Sequence, residues 1–461
     1  RRRNLGLSMR LSYGYKERYY LEGSFGYNGS ERFAKDHRMG FFPSVGGAWV
    51  VSKEPFLLGS SKWLSFLKLR LSYGKVGNDG IIDTPRFVHL PSIGQDQPSG
   101  SFRPGLGQIS RYRITGYQNN DVTWEIAEQA NLGLETKFFN GLFEATVDIY
   151  QQVRHNVLAN RTVIPEAMGL GLQPLDNIGK VRSRGLDFAG KIQHAFNSDL
   201  WVILNGTFTY SKATYLKIEE AADKPEWQWK KGHDISQQVG YIAEGLFRDQ
   251  MEIDNSPVQG GDLMPGDIRY RDINDDGVID VKDAVHIGFP TTPRIIYGFN
   301  GFINYKGLEF SFAFQGSGQR GFFINPAAIS PFYGNHALLT AIYKDHWSVD
   351  NQAERPLWPR LSTKSITAHN PQEDYTTDKE TRMSTYFLKE CRFLRCTSLE
   401  LGYNLPKKWS RKLALKNLKV YVRANNPFLI SNFDLWDVEL GGNGFNYPIQ
   451  KTYSVGLNVN F

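Results

Sequence analysis

The last nine residues of the chain alternate strictly between apolar and polar side chains. One face of a strand receives Tyr453, Val455, Leu457, Val459 and Phe461, and the other receives Ser454, Gly456, Asn458 and Asn460. A strand with hydrocarbon on one side and water on the other requires this pattern. An amphipathic strand of a soluble sandwich also shows it, so the remaining segments must decide between the two.

The same alternation recurs along the whole chain. It predicts thirteen strands, near residues 5–13, 19–27, 42–51, 67–73, 122–138, 143–149, 178–196, 201–212, 294–305, 308–315, 393–405, 418–425 and 451–461. Val239–Arg248 and Asp267–Arg271 form a further candidate hairpin, which would raise the count to fifteen.

Short turns alternate with long polar loops between these strands. Counted back from a periplasmic carboxyl terminus, every short turn falls on the periplasmic side, including the tight-hairpin signal Asn140–Gly141. We therefore predict an all-β fold, a transmembrane antiparallel β-barrel with short periplasmic turns and long extracellular loops. Because bacterial barrels close with an even number of strands, the odd count predicts a partial barrel.

Composition narrows the classes of function. Aromatic residues make up 14% of the 461 residues, as in the aromatic girdles of barrels. No apolar run reaches the roughly 18 residues of a membrane helix. The net charge of +7 is scattered along the chain, so nucleic-acid binding is not expected. No HExxH or GxSxG signature supports an enzyme, and we interpret the GxGxxG match at Gly316–Gly321 as a flexible extracellular loop, because no helix is predicted after it.

Cysteine spacing and the amino terminus add two expectations. Cys391 and Cys396 lie in one predicted strand, with Cα atoms about 16 Å apart, so we expect free thiols. Arg1–Asn4 leads directly into strand pattern without an apolar leader, so we expect the chain to be a piece of a longer polypeptide.

The segment Asp272–Asp283 carries the sharpest chemical signal. It offers side-chain oxygens at positions 1, 3, 5, 9 and 12, a glycine at position 6 and a main-chain carbonyl at position 7. The predicted ligands are Asp272, Asn274, Asp276, Val278, Asp280 and Asp283. Hard oxygen ligands suit Ca²⁺ (or Mg²⁺), which would act as a loop staple rather than as a catalyst; the alternative is a solvated turn.

Aromatic and charged side chains suggest further contacts. Five aromatic residues in predicted extracellular loops are candidate stacking platforms for sugars or peptides, although loop packing explains them as well: Trp227, Trp229, Tyr333, Trp347 and Trp358. Basic residues on the predicted lumen face could guide substrate, but we expect them to pair with acidic residues such as Glu144, Asp148 and Glu400. These basic residues are Arg10, Lys68, Arg70, Lys419 and Arg423.

Four ordered blocks resemble sequence blocks of the SusC/RagA-type TonB-dependent transporters of Bacteroidetes outer membranes. They are Asn28–Phe33 with Gly40–Ser44 and Trp49, Trp347–Ala353 with Pro359–Leu361, Phe393–Arg395 with Leu401–Pro406, and the terminal Gly456–Phe461. One departure is Asp437-Val438-Glu439, where the family usually has Asp-Pro-Glu. The resemblance implies that residues 1–461 form the carboxyl-terminal portion of a barrel of about 22 strands, with the plug domain and TonB box outside this chain.

The same resemblance implies a function. A member of this family imports glycan fragments or peptides across the bacterial outer membrane, driven by TonB through the plug and covered by a SusD-like surface lipoprotein. A non-transporting surface barrel that binds a ligand is the alternative, and a soluble β-rich hydrolase is a weaker third.

Overall fold

The computed structural model describes residues 4–60, 62–80, 87, 89–96, 111–164, 166–169, 173–332, 337–353, 355–374, 383–412 and 415–460. Its strands are β1 (Asn4–Tyr15), β2 (Tyr19–Ser30), β3 (Met39–Val50), β4 (Leu64–Asn78), β5 (Ser92–Asp96), β6 (Arg111–Gly116), β7 (Glu125–Phe138), β8 (Phe143–Asn160), β9 (Leu175–Ala195), β10 (Leu200–Lys217), β11 (Gln238–Gly240), β12 (Ala243–Leu246), β13 (Val258–Gln259), β14 (Ile268–Tyr270), β15 (Val278–Ile279), β16 (Val285–Ile287), β17 (Ile295–Tyr305), β18 (Leu308–Phe323), β19 (Leu388–Asn404), β20 (Asn417–Asn425), β21 (Leu429–Ser431) and β22 (Thr452–Asn460).

Helices are short throughout the described residues. The α-helices are α1 (Gln250–Asp254), α2 (Pro326–Ile329), α3 (Thr340–Lys344) and α4 (Lys407–Lys412). Single 3-10 turns lie at Lys35–His37, Val51–Lys53, Pro55–Ser60, Phe139–Gly141, Glu166–Met168, Glu226–Gln228, Val281–Asp283, Ile366–Ala368, Pro371–Glu373 and Val438–Leu440. In the part of the chain that the structure describes, no helix has both the length and the apolar character to cross a membrane.

One antiparallel sheet contains the predicted strands. Thirteen strands follow each other as hydrogen-bonded neighbours in the order β1-β2-β3-β4-β7-β8-β9-β10-β17-β18-β19-β20-β22, and β21 pairs with β19 beside this path. The thirteen correspond one for one to the segments predicted from alternation. The further candidate hairpin also forms, as β12 with β14, but it is a separate two-stranded sheet rather than part of the large one.

The short turns lie where the sequence predicts them. Lys306 and Gly307 join β17 to β18 with φ angles of 49° and 84°, the left-handed pair of a two-residue hairpin turn, where glycine fits because it has no Cβ. The Asn140–Gly141 signal also marks a hairpin, because Phe138 of β7 faces Phe143 of β8 directly across it.

The interpretation of Gly316–Gly321 as a flexible loop is wrong. These residues continue β18, where Gly316 faces Leu394 and Gly321 faces Glu390 of β19. A Cβ atom at Gly316 would lie 2.4 Å from the main-chain oxygen of Phe393, so glycine allows a close backbone approach here.

The chain divides into two compact units. Unit 1 comprises Arg1–Asp187, Ser211–Asp223 and Lys230–Ile235. It contains β1 to β8, most of β9 and the end of β10. A small buried cluster of Phe33, Phe42, Val122 and Trp124 lies in it, and the indole Nε1 of Trp124 donates to the main-chain oxygen of Arg38 at 3.0 Å. Residues of the Asn28–Ser44 blocks therefore pack together around an aromatic core.

Unit 2 comprises Phe188–Tyr210, Lys224–Trp229 and Ser236–Phe461. Its buried apolar core lies mostly in the connections that follow β10, β18 and β20, and includes Tyr241, Ile268, Tyr270, Ile342, Trp358, Phe387 and Val438. The strands themselves expose their apolar side chains. On β22, Tyr453, Val455 and Leu457 are 68%, 76% and 66% exposed, which fits the predicted lipid face.

Candidate functional site

The connections of unit 2 fold onto each other rather than extending as separate loops. Main-chain hydrogen bonds tie them together: Tyr241 N donates to Met383 O, Ile324 N to Phe387 O and Asn325 N to Gly442 O, each at 2.9 Å. We call the segments 236–294, 324–387 and 426–451 the loop assembly. These connections follow β10, β18 and β20, so by strand parity they share the end of the sheet predicted to be extracellular.

A buried carboxylate joins two of these segments. Asp267 is fully buried, and its Oδ1 lies 2.8 Å from Nε of Arg360 and 2.6 Å from Nδ1 of His369. Its Oδ2 accepts from Met264 N at 2.8 Å. A buried charge requires this compensation, and breaking one partner of such a pair is costly. The network therefore ties segment 236–294 to segment 324–387.

A second buried carboxyl, Glu373, has neutral partners. Its Oε1 accepts from the hydroxyl of Tyr270 at 3.0 Å and its Oε2 from Ser384 N at 3.2 Å. Because burial disfavours the charged form, the pKa of Glu373 rises to about 7. Burial likewise raises the pKa of Tyr270 well above its usual range. Neither carboxyl has a local signature in the sequence, since Asp267 and Glu373 have side-chain partners about a hundred residues away in the chain.

The predicted metal-binding segment forms a compact turn. Its carboxylates accept hydrogen bonds from its own backbone: Gly277 N donates to Asp272 Oδ2 at 2.7 Å and Val278 N to Asp276 Oδ1 at 2.9 Å. Main-chain pairing of β15 with β13 anchors the turn to Val258–Gln259. Asp275 and Gly277 have φ angles of 57° and 81°, the left-handed conformations that Asp and Gly tolerate best.

The other oxygen atoms of this segment differ in their hydrogen-bond partners. Asp272 Oδ1 is buried without a hydrogen-bond partner, and Asp276 Oδ2 accepts only from the Asn274 amide, at 2.8 Å. Asp283 differs from Asp272 and Asp276, because both of its oxygens accept main-chain hydrogen bonds, from Ile273 N and Asp280 N at 2.8 Å each. Burial raises the pKa of Asp283. Among the described residues, no group of three or more His, Cys, Asp or Glu side chains converges as a metal site.

The predicted aromatic residues separate into two classes. Trp227 and Trp229 are 41% and 37% exposed, and Nε1 of Trp227 donates to Lys282 O at 2.9 Å, beside the metal-binding segment. Trp358 is 2% exposed and packs in the core, with its ring 5.4 Å from that of Phe387. Trp347 is partly buried against the same core. Tyr333 lies outside the described residues.

Trp347 is positioned by a glycine. Gly266 has a φ of 91°, and a Cβ atom there would lie 2.3 Å from the indole of Trp347. Arg360 N donates to Gly266 O at 3.0 Å, and Trp347 N donates to Trp358 O at 3.0 Å. Trp347 and Trp358 therefore pack the loop assembly, whereas Trp227 and Trp229 keep exposed faces that a ligand can reach.

The loop assembly contains a partly open apolar cavity of about 300 Å³ that the sequence pattern does not predict. It is lined by Ile324, Ile329, Leu339, Thr340, Ala341, Ile342, Leu357, Trp358, Phe387, Leu435, Trp436, Gly444 and Phe445. The lining comes from six separate stretches of chain, and no periodic pattern in the sequence links them. Two of its aromatic residues, Trp358 and Phe387, also belong to the buried core.

The polar face of the sheet carries the predicted ion pairs. In unit 1, Arg70 Nε lies 2.6 Å from Glu135 and Arg70 Nη2 lies 3.2 Å from Asp148. In unit 2, Lys419 Nζ lies 2.6 Å from Glu309 and 2.9 Å from Glu400, and Arg423 Nε donates to Glu400 at 2.8 Å. The remaining predicted residues also have partners, in the pairs Arg10–Glu22, Lys68–Glu135 and Lys137–Glu144. The expectation of acidic partners is confirmed.

Comparisons with known proteins agree with this architecture. Residues 1–460 match a family model described as "TonB dependent receptor-like, beta-barrel". A TonB-dependent receptor of Formosa agariphila is 29% identical over 98% of this chain and 45% of its own length. TonB-dependent receptor SusC of Bacteroides thetaiotaomicron is 27% identical over 98% of this chain and 43% of its own length. The chain thus spans a little under half the length of the curated relatives it matches.

A solved structure shares the fold. "Structure of the RagAB peptide transporter" superposes with a TM-score of 0.75 at 22% identity, over 99% of this chain and 48% of that chain. At this identity the likeness is one of fold alone. The curated relatives named here are TonB-dependent receptors, and the expectation that the chain is not an enzyme is confirmed.

Proposed function

This chain belongs to the TonB dependent receptor-like β-barrel family of integral outer-membrane proteins, and on that premise we propose that it forms part of the wall of an active importer. The imported molecules are oligosaccharides or peptides. The observation that carries the proposal is the family match over residues 1–460, together with a sheet that is apolar on one face and ion-paired on the other. The wall separates hydrocarbon from a wet lumen, as transport requires.

The proposal includes the partners of the intact protein. TonB supplies energy through a plug domain, and a SusD-like lipoprotein closes over the loop assembly. Two similar proteins support this: TonB-dependent receptor SusC, and the RagAB peptide transporter, whose fold this chain shares. Next to the loop assembly, where Trp227 Nε1 donates to Lys282 O, Trp227 and Trp229 offer exposed aromatic faces for substrate or for the lipoprotein.

Uptake by whole cells tests this function. Cells that lack the gene for the intact protein are supplied with labelled oligosaccharides and peptides, with and without the restored gene, and with TonB present or deleted. We expect restored, TonB-dependent uptake of at least one class. Surface binding that is restored without uptake would instead support a non-transporting barrel that captures a ligand. Co-purification of the lipoprotein from mild detergent tests the partner.

We further propose that Asp272–Asp283 binds Ca²⁺ (or Mg²⁺) as a structural staple. The supporting observation is the buried Oδ1 of Asp272, which has no hydrogen-bond partner, in a turn where Gly277 N donates to the other Asp272 oxygen and the Asn274 amide donates to Asp276. Because nearby carboxylates repel each other, an ion that neutralises them stabilises the turn. The ion orders Gly260–Pro290 and leaves the strands of the large sheet unchanged.

Limited proteolysis of the intact protein tests the ion. We expect that removal of Ca²⁺ by a chelator speeds cleavage within 260–290. The double variant Asp272→Ala, Asp276→Ala should be cleaved, with or without Ca²⁺, at the rate of the chelator-treated wild type. Asp275→Asn is the matched control, since it removes a neighbouring carboxylate outside the ligand set and keeps a residue that tolerates positive φ. Equal protease resistance with and without chelator would leave the solvated turn as the correct interpretation. Adding Mg²⁺ alone distinguishes the two ions.

A further inference from the structure

The apolar cavity of the loop assembly is held open by its surroundings. Its walls are fixed by the bonds Ile324 N to Phe387 O and Asn325 N to Gly442 O, both 2.9 Å. The indole Nε1 of Trp436 donates to Gly441 O at 2.8 Å. An apolar space of about 300 Å³ leaves its lining without packing partners, which destabilises a fold unless the space is filled. The cavity is therefore preformed and suited to an apolar guest.

The chemistry of the lining selects the guest. Thr340 supplies the sole side-chain hydroxyl, the Trp436 indole nitrogen already has its acceptor, and the other side chains in the lining besides Trp358 are hydrocarbon. A sugar ring would leave most of its hydroxyl groups without hydrogen-bond partners, which is costly in a buried site. An aromatic or branched aliphatic side chain loses nothing on entering and gains contacts with Trp358, Phe387 and Phe445.

The volume of the cavity and the charges near it also favour a peptide side chain as the guest. About 300 Å³ is the lower limit for small-molecule pockets, so the cavity holds one or two side chains rather than a whole peptide. Thr340 and Phe445 are the exposed members of the lining and mark its mouth. Exposed charges of both signs flank these stretches: Lys344 lies one helical turn after Thr340, and Asp434 precedes Leu435. A short peptide carries both charges, whereas a neutral glycan carries neither.

We propose that this cavity binds an aromatic or branched aliphatic side chain of a peptide substrate. The inference rests on the proposed import function and selects peptides within it. The side chain enters past Thr340 and Phe445, and the peptide main chain stays outside, near Lys344 and Asp434. The cavity thus sets a preference for peptides with a bulky apolar residue.

Paired peptides and a filled cavity test the inference. The probes are labelled pentapeptides that differ in the central residue, one with Phe and one with Ala, measured against the intact protein in detergent. We expect the Phe peptide to bind roughly tenfold to a hundredfold more tightly, since burial of a phenyl ring has that effect. Ala341→Leu fills part of the cavity and should reduce this ratio to about threefold or less. Ala341→Ser keeps the volume and should preserve the ratio.

Two controls keep the outcome decisive. Leu357→Phe is a second filling variant from another wall, and protection of the buried Cys391 and Cys396 from a thiol reagent reports that each variant is folded. Equal affinity for the two peptides, or a ratio that survives both filling variants, overturns the cavity site. Uptake by whole cells distinguishes failure of the cavity inference from failure of the proposed import function. Uptake of both peptides without a preference contradicts the cavity inference alone. Absence of uptake of every probe contradicts the proposed function.

Discussion

Val455 and Asn458 lie three positions apart on β22, and the odd spacing places them on opposite faces of the sheet. Val455 faces Val422 of β20, and its side chain is 76% exposed on the apolar face. Asn458 faces Lys419, which belongs to the ion-paired face with Glu309 and Glu400. Because strand side chains alternate strictly, one residue of displacement exchanges the two environments.

We predict that Val455→Asp prevents assembly in the outer membrane, whereas Asn458→Asp is tolerated. An aspartate in hydrocarbon costs on the order of 2–3 kcal/mol, and a carboxylate beside Lys419 costs little. The measurement is the fraction of each variant recovered as folded protein from outer membranes. Normal assembly of Val455→Asp together with loss of Asn458→Asp would mean that the assigned faces are exchanged.

At the scale of elements, the long connections after β10, β18 and β20 pack against each other through tertiary contacts. The turn Lys306–Gly307 depends only on the local backbone conformation of two residues, so the sequence is sufficient to predict it. The connection after β18 instead depends on partners elsewhere, as Glu373 does with Tyr270 of β14 and Ser384. The Glu373 carboxyl thus links two segments of the loop assembly, and its ionisation depends on pH.

We predict that the segments joined by Glu373 open more readily as pH rises from about 4.5 to 7. The pKa of this carboxyl is about 7 in the fold, against 4.5 when exposed, so folding favours the protonated form. The stabilisation that the protonated carboxyl provides is fully present below pH 4.5 and is lost as pH rises from 4.5 to 7. The total loss in the free energy of unfolding is about 3 kcal/mol, and it does not change further above pH 7. Glu373→Gln should remove this dependence, because an amide cannot ionise.

Amide hydrogen exchange of residues 366–374 and 383–387 measures this opening. The ratio of amide protection in the wild type to that in Glu373→Gln, compared at the same pH, should fall as pH rises from about 4.5 to 7. Above pH 7 the ratio should stay constant. Asp350→Asn, an exposed carboxyl in the same connection, is the control and should follow the wild type. A ratio that stays constant across this range would contradict the assignment.

At the scale of the whole molecule, strand parity assigns the two ends of the strands. The connections after β9 and β17 are short, with residues 196–199 and Lys306–Gly307, whereas those after β10 and β18 contain 77 and 64 residues. Short periplasmic turns and long extracellular loops are the rule for outer-membrane barrels. The long connections therefore face the medium.

We predict that a cysteine at position 350 is labelled in intact cells and that one at position 198 is not. Asp350→Cys lies after β18 and Ser198→Cys after β9, and both positions are exposed. A membrane-impermeant maleimide should reach Ser198→Cys only after the outer membrane is permeabilised. The native Cys391 and Cys396 are buried, so background labelling is low. The reverse pattern would invert the assigned orientation.

The sequence by itself determined the large sheet. Thirteen strands, their faces, their short turns, the free cysteines and the ion pairs of Arg70, Lys419 and Arg423 follow from alternation and parity, which are local properties of the chain. The Gly316–Gly321 segment was misread because glycine signals both a loop and a close strand approach, and only the facing strand β19 distinguishes them.

Tertiary structure alone decided the loop assembly. The burial of Trp358, the Asp267–His369 pair, the Glu373–Tyr270 bond and the apolar cavity all join residues far apart in sequence, where no period connects the partners. A tryptophan in a polar loop has the same local signature whether it stacks on a ligand or fills a core. Its role is set by the segments that pack around it, because burial is a property of the folded chain.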